Sequence, residues 1–304
     1  MTLLSAERTI RAGLPVTRLL GAYLPLGVTR WLMQQSARHG RLPDDVTREA
    51  VSAGGVRCEW LIPHGSSTEQ TLLYLHGGGF VLSFTSLQLE MVAYLARQMG
   101  VRALLVDYRL APEHPFPEPL DDCVTAYRWL LEQGVAAENI MVVGDSAGGN
   151  LALTSLMKLR DDGDPLPAAA ACLSPVADLT GEDSPFAEEY DLVLHPRTAY
   201  LYTRSYVADH DAHDPLISPV FGAWHGLPPL LIHAGEDEIL REDAVRIEEL
   251  AREAGVDVRL EIYPRMWHVW QMYLTLPQAV RALDAVAQFL ESHLRVSSQR
   301  PGLI

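Results

Sequence analysis

The stretch NIMVVGDSAGGNLALTSLMKL, residues 139–159, decides the fold, because it joins a continuously apolar run to a helical pattern through a very short turn. Ser146 lies in that turn. So tight a turn strains the serine backbone and lifts its hydroxyl clear of the main chain, as in a nucleophile elbow. Gly144 and Gly148 must then be small, since the chain folds back on itself there. The alternative is an ordinary glycine-rich turn in which Ser146 only caps the helix.

Short apolar runs of the same kind alternate with helical patterns along the chain. Most are continuously apolar, as expected for parallel strands buried on both faces, and they lie at 71–75, 101–107, 139–144, 168–174, 228–234 and 258–263. Amphipathic stripes between and after them lie at 87–95, 240–250 and 279–290. This alternation predicts an α/β fold with a mainly parallel central sheet and helices on both faces. Two antiparallel strands, 49–53 and 56–62, are expected at one edge.

Two segments do not follow the alternation, and we expect both to be helices packed over one end of the sheet. In the first, residues 1–45, Pro25 is the expected kink, and the apolar residues at helical spacing are Val16, Leu20, Tyr23, Leu24, Trp31 and Leu32. The second, residues 183–214, carries Tyr190, His195, Tyr200, Tyr202 and Tyr206. The alternative is that both segments are peripheral packing without a role in a site.

Composition limits the classes of partner. The chain has 304 residues, 48% of them hydrophobic, which is enough for a sizeable core. A net charge of -15 argues against nucleic acid and against anionic membrane surfaces. Cys58, Cys123 and Cys172 lack metal-ligand spacing, so we expect free thiols, no metal and a reducing compartment. Without a secretory signal or a membrane-spanning run, we expect a soluble cytoplasmic protein.

A glycine loop, HGGGF at 76–80, directly follows the apolar run at 71–75. Three consecutive glycines are entropically costly, so a reason for them is required. A bare backbone can approach a substrate carbonyl and direct N–H groups at its oxygen. Gly78 and Gly79 would supply two such donors, and Ala147 a third. The alternatives are a flexible turn or a phosphate loop, although neither common phosphate-binding pattern is present.

His268, in PRMWHVW, follows the last apolar run and is the candidate base. An acid in GEDE, residues 235–238, follows the run at 228–234, so the chain order is serine, acid, histidine. Each then lies at the carboxyl end of a parallel strand, where open α/β sheets place their active sites. The alternative is a histidine simply packed among tryptophans.

These motifs together, HGGGF, DYRLAPEHPFP at 107–117, GDSAGGN at 144–150 and the late histidine, resemble the hormone-sensitive-lipase-like family of α/β-hydrolase esterases. The resemblance covers nearly the whole chain and implies an α/β-hydrolase fold with a helical cap. It implies cap segments at 1–45 and 183–214, and a catalytic domain at 46–182 and 215–304. It also implies that Arg109 and Glu113 support the active-site loops.

The resemblance implies a carboxylic ester hydrolase that acts on short- to medium-chain acyl esters and needs no cofactor. Ser146 would be the nucleophile and His268 the general base, with an oxyanion hole from Gly78, Gly79 and Ala147. The alternatives are a long-chain lipase, an amidase, or a non-catalytic small-molecule receptor such as the plant relatives in which the histidine is replaced. Pairing into a homodimer through 258–263 and 279–294 is also implied.

The third triad member is either Glu238 or Asp237. Relatives commonly read Asp-Pro-Leu-x-Asp-Glu here, with the first aspartate catalytic. Counting from Glu238 reproduces the leucine and both following acids, whereas counting from Asp237 does not. Adjacent residues that leave a strand point in different directions, so only one should face His268. We therefore expect Glu238 to orient the imidazole and Asp237 to make backbone or turn hydrogen bonds.

Overall fold

An eight-stranded sheet forms the centre of the computed structural model, which describes residues 3–181 and 191–294. In chain order its strands are β1 (Val46–Ala53), β2 (Val56–Pro63), β3 (Ser67–Leu75), β4 (Val101–Val106), β5 (Ile140–Asp145), β6 (Ala169–Leu173), β7 (Leu230–Gly235) and β8 (Val258–Tyr263). Their spatial order is β1-β2-β4-β3-β5-β6-β7-β8. β2 is antiparallel to β1 and β4, and all other neighbours are parallel. The predicted α/β fold and its antiparallel edge are confirmed.

Helices cover both faces of this sheet. They are α1 (Leu3–Tyr23), α2 (Leu26–His39), α3 (Ser86–Met99), α4 (Glu118–Glu132), α5 (Ala147–Asp162), α6 (Pro196–Val207), α7 (Arg241–Glu253) and α8 (Pro277–His293). The apolar sides of α4, α5 and α7 belong to one core cluster, and those of α3 and α8 to a second cluster on the opposite face. Among the described helices, none is both long and apolar enough to cross a membrane.

The central strands are continuously apolar because they contribute to both cores. Along β3, Leu73 and Leu75 belong to the first cluster, whereas Leu72 and Tyr74 belong to the second. Successive side chains of a strand point to opposite faces, so the part of a strand that is covered on both sides is mostly apolar. Because β3 to β8 run parallel, their carboxyl ends lie at one edge of the sheet, and the loops that follow these strands meet there.

The N-terminal segment and α6 lie at that same end of the molecule. Pro25 breaks the first segment completely, since α1 ends at Tyr23 and α2 begins at Leu26. Leu14 of α1 packs in a cluster with Trp267 and Trp270. Four of the apolar residues at helical spacing in this segment have exposed side chains: Val16, Tyr23, Trp31 and Leu32. Tyr190 lies outside the described residues.

Candidate active site

Ser146 occupies the turn between β5 and α5 in a strained conformation, with φ +54° and ψ −119°. A Cβ atom on Gly144 would lie 2.1 Å from the carbonyl oxygen of Gly148. A Cβ atom on Gly148 would lie 1.9 Å from the carbonyl oxygen of Leu75. No larger residue fits at either position without displacing main chain, so both glycines are required by the close approach that the sequence indicates.

His268 joins the serine to a carboxylate. Its Nε2 lies 2.9 Å from Ser146 Oγ, and its Nδ1 lies 2.9 Å from Glu238 Oε2. The other carboxylate oxygen of Glu238 accepts a hydrogen bond of 2.7 Å from the backbone N–H of Gly235, which fixes the acid at the end of β7. The His268 and Glu238 side chains are buried. The structure thus brings together three of the residues singled out from the sequence.

The environment of His268 raises the pKa of its imidazole. Burial lowers the pKa of the imidazole, but the hydrogen bond and negative charge of Glu238 raise it by more, with further contributions from Asp191 and Asp145. The net effect is a pKa above the ordinary 6.5. An imidazole in this setting accepts a proton from a neighbouring hydroxyl more readily than a buried histidine without a carboxylate partner.

Asp237 points away from this arrangement. Its carboxylate accepts a hydrogen bond of 2.5 Å from Arg11 Nη2 on α1, and about a third of each side chain is exposed. The expectation that Asp237 makes backbone or turn hydrogen bonds is therefore wrong for its side chain, which instead ties the N-terminal helix to the loop after β7. The partner lies 226 residues away in the chain, so local sequence carried no signal of it.

The glycine loop presents backbone donors beside the serine. Gly78 and Gly79 have φ of +128° and +61°, which side-chain-bearing residues rarely adopt. Both line the same cavity as Ser146 and Ala147. Within the described part of the chain, the N–H groups of Gly78, Gly79 and Ala147 donate to no other protein group. Three predicted donors therefore lie around one cavity with their hydrogen-bonding capacity free.

Asp145, the residue before the serine, fastens the glycine loop to β5. Its buried carboxylate accepts a hydrogen bond of 2.8 Å from the N–H of Gly77, another from the hydroxyl of Tyr74, and a third of 3.2 Å from Gln88. Burial raises its pKa, while these donors and His268 oppose the rise. Sequence reasoning assigned Asp145 no role. The sequence did contain a clue to this role, because Asp145 is an acid at the end of an apolar strand and a buried carboxylate needs several hydrogen-bond donors.

The segment at 107–117 packs against the start of the glycine loop. The Tyr108 hydroxyl donates a hydrogen bond of 2.7 Å to the carbonyl oxygen of His76, and the two rings stack with centroids 4.1 Å apart. Arg109 donates hydrogen bonds from its Nε and Nη2 to the carboxylate of Asp122, which anchors the segment on α4. Arg109 thus holds the supporting loop and does not reach the cavity.

Arg30 of α2 is a second residue that sequence reasoning missed. Its Nε donates a hydrogen bond of 2.6 Å to the carbonyl oxygen of Val81, next to the glycine loop. Its Nη1 donates to both carboxylate oxygens of Glu113, each at 2.8 Å, and its Nη2 donates to the carbonyl oxygen of Ala111. One arginine therefore connects the N-terminal segment to both loops.

A mainly apolar cavity of about 340 Å³ opens onto these residues. Its floor carries Ser146 and His268, and the N-terminal segment and α6 supply much of its wall, including Arg18, Thr29, Met33, Thr198 and Tyr202. Among the described residues, no group of three or more His, Cys, Asp or Glu side chains is arranged to hold a metal ion. The chemistry available at this site is that of a hydroxyl, an imidazole, a carboxylate and backbone amides.

Comparison with known proteins identifies the class to which this site belongs. Residues 72–272 match the family model described as "alpha/beta hydrolase fold". The chain is 40% identical over 247 residues to an acetyl-hydrolase from Streptomyces hygroscopicus, covering 80% of this chain and 82% of the relative. It is 31% identical over 299 residues to the putative acetyl-hydrolase LipR from Mycobacterium tuberculosis, covering 97% of both chains.

A solved esterase from the bacterial hormone-sensitive lipase family has 36% sequence identity to this chain and a TM-score of 0.86, over 93% of this chain and 98% of the other. The chain therefore belongs to the alpha/beta hydrolase fold family and, within it, to the hormone-sensitive-lipase-like esterases. It is an enzyme of the carboxylesterase class.

Proposed function

We propose that this enzyme cleaves carboxylic esters through a covalent acyl-serine intermediate on Ser146. The observation that carries the proposal is the continuous chain from Ser146 Oγ through His268 to Glu238, with both contacts at 2.9 Å. A serine hydroxyl is a weak nucleophile unless an adjacent base removes its proton and a third group orients that base.

The proposed reaction begins when Ser146 Oγ attacks the carbonyl carbon while His268 Nε2 takes the hydroxyl proton. Glu238 keeps the imidazole oriented and stabilises the positive charge that forms on it. The carbonyl π bond opens to an alkoxide. When that intermediate collapses, the bond to the leaving alcohol breaks and His268 returns the proton to the alcohol oxygen. Water then attacks the acyl carbon while His268 takes its proton, and when the bond to Ser146 Oγ breaks, His268 returns that proton to the serine and the acid leaves.

The oxyanion is the second half of the proposal. We propose that the N–H groups of Gly78, Gly79 and Ala147 hold it, since these three residues line the cavity beside Ser146 and Ala147 begins α5, at the positive end of that helix. Removing one such donor typically costs about 3 kcal/mol of transition-state stabilisation. Asp145 supports this arrangement because its bond to Gly77 fixes the start of the loop.

Short- to medium-chain acyl groups, of about two to eight carbons, are the substrates that we propose. The cavity is near the small end of the range for ligand sites, and residues of α1, α2 and α6 form part of its wall. The acetyl-hydrolase names of two relatives support the same preference. We further propose that residues 1–45 and 183–214 act as the cap, and that 46–182 and 215–304 carry the chemistry.

A series of p-nitrophenyl esters of increasing acyl length tests both parts of this function. We expect kcat/KM to be highest for the shorter chains and to fall steeply beyond about eight carbons, where the cavity is filled. Replacing Ser146 by alanine should lower kcat by several orders of magnitude across the series, because triad members act as a unit. Faster turnover of emulsified long-chain triglyceride than of butyrate esters would favour a true lipase, and anilide hydrolysis matching ester hydrolysis would favour an amidase.

We also propose that the chain forms a homodimer through β8 and α8. β8 is the last strand of the sheet on its side, and Ile262 on it is exposed. An open strand edge offers unpaired backbone groups to a second copy. Light scattering at micromolar concentration should give twice the chain mass, and a monomer would contradict the proposal.

A further inference from the structure

The three helices that cover the cavity have a charge opposite to that of the chain as a whole. Helices α1, α2 and α6 carry a single acidic residue, Glu7, whereas the whole chain has a net charge of -15. Their seven arginines are Arg8, Arg11, Arg18, Arg30, Arg38, Arg197 and Arg204. Two of the seven are paired with acids outside these helices, Arg11 with Asp237 and Arg30 with Glu113, so the local excess of positive charge comes from the other five.

The same helices carry most of the exposed large apolar side chains. Of the ten such residues in the described part of the chain, eight lie on them. They are Val16, Leu19, Tyr23, Val28, Trp31, Leu32, Tyr200 and Leu201, which we call the cap face. The most exposed are Tyr23 at 66% and Trp31 at 58%. Single apolar residues scattered over a surface are ordinary, whereas their concentration in one region marks an interaction site.

The members of the cap face are neighbours. On α1, Val16, Leu19 and Tyr23 follow the spacing of one helix face. Tyr23 also contacts the start of α6, since its ring lies 5.9 Å from that of His195 and 5.5 Å from the Arg197 guanidinium. All three helices also contribute residues to the cavity wall. The cap face therefore lies on the helices that wall the cavity.

We propose that the cap face docks on an anionic lipid surface. Helices that lie in a membrane interface combine apolar and aromatic side chains with arginine or lysine and little negative charge, as these helices do. A second copy of the same face is a poorer occupant, because it would oppose arginines to arginines. From the sequence we expected no membrane partner, because the total charge of the chain is negative. In the structure that charge is unevenly distributed, since the three helices carry more arginines than acids.

Docking in this orientation would place the cavity entrance against the surface that holds amphiphilic esters. Esters of low solubility would then reach Ser146 without crossing bulk water. Vesicle binding measures this surface by itself, so its outcome is separate from that of the proposed ester hydrolysis.

Sedimentation with vesicles is the direct test. We expect the protein to bind vesicles of phosphatidylcholine and phosphatidylglycerol in equal parts, to bind poorly to phosphatidylcholine alone, and to be released by high salt. Replacing Arg8 and Arg38 by glutamine should weaken binding about fivefold for each charge removed. Replacing Trp31 by serine should weaken it about tenfold or more, since an aromatic anchor is lost.

Matched substitutions away from the cap face control for general surface effects. Phe221→Ser removes an exposed aromatic residue elsewhere, and Arg252→Gln removes an exposed arginine on α7. Both should bind vesicles like the unmodified protein. All variants should keep their hydrolysis of soluble butyrate esters, because none of these residues lines the cavity.

Trp31 also reports on the surface directly, since it is the exposed member of the six tryptophans. Its fluorescence should shift to the blue on anionic vesicles. In Trp31→Leu the shift should be lost while binding is largely kept. Equal binding to neutral and anionic vesicles, undiminished binding by Trp31→Ser, or a dimer in lipid-free solution that Trp31→Ser converts to monomer would each overturn the proposal.

Discussion

Glu238 and Asp237 are adjacent carboxylates, and replacing each by its amide separates an orienting acid from a structural one. In Glu238→Gln the side chain keeps its shape but loses its charge beside His268 Nδ1, 2.9 Å away. In Asp237→Asn the charge lost is the one paired with Arg11 at the surface. The two variants therefore remove the same charge from positions one residue apart.

The expected cost of Glu238→Gln follows from the distance. At an effective dielectric constant of about 20, unit charges 2.9 Å apart attract by about 6 kcal/mol. That energy stabilises the imidazolium formed during attack, and its loss corresponds to about four powers of ten in rate. A carboxylate-to-amide change in the serine protease triad has an effect of about this size. Glutamine can also hold the wrong imidazole tautomer, which adds to the loss.

Asp237→Asn should leave kcat within about threefold, because a partly exposed ion pair contributes about 0–1 kcal/mol, and to stability rather than to chemistry. The assay is kcat and KM for p-nitrophenyl butyrate, with circular dichroism and thermal unfolding to show that both variants fold. A larger loss of kcat in Asp237→Asn than in Glu238→Gln would refute the assignment. A loss below tenfold in Glu238→Gln would refute the electrostatic role.

Two further predictions concern the base and the cap. Because the pKa of His268 is raised and the base must be neutral, kcat/KM should increase with pH through a midpoint above 6.5. In Glu238→Gln the burial that lowers the pKa of His268 is opposed only by the charges of Asp191 and Asp145, so that midpoint should move to lower pH, and an unmoved midpoint would contradict the coupling. Arg30→Met removes the hydrogen bonds to Val81 and Glu113 that hold the glycine loop. We expect kcat to fall about tenfold, which is less than the loss of about a hundredfold or more that removal of a whole oxyanion donor causes. Wild-type kcat in a folded Arg30→Met protein, checked by thermal unfolding, would show that the loop does not need this anchor.

The strands and the reacting groups could be predicted because their signals are local. A strand buried on both faces must be continuously apolar, and this requirement located β3 to β7 within one to four residues. The nucleophile turn is equally local, since Gly144 and Gly148 are imposed by atoms a few residues away or on the adjacent strand. The preference for Glu238 over Asp237 came from the motif of relatives, whereas the divergence of neighbours that leave a strand indicated only that one of the two would face His268.

Contacts between distant segments could not be predicted in this way. Nothing near Arg11 or Arg30 in the sequence indicates their partners, Asp237 and Glu113. These ion pairs form only when α1 and α2 pack against the rest of the chain. On α1, Leu14 is buried whereas Val16 and Tyr23 are exposed, because helical spacing does not say which face meets a neighbour. Periodicity identifies a stripe, and tertiary packing decides whether protein, solvent or another surface covers it.

Covalent labelling of Ser146 tests the central claim most directly. A fluorophosphonate that is added to the protein should attach once, at the peptide containing Ser146, and should abolish ester hydrolysis in proportion to labelling. His268→Ala should slow the labelling by several orders of magnitude, because the hydroxyl then has no base. Attachment at another residue, or undiminished labelling of His268→Ala, would contradict the account.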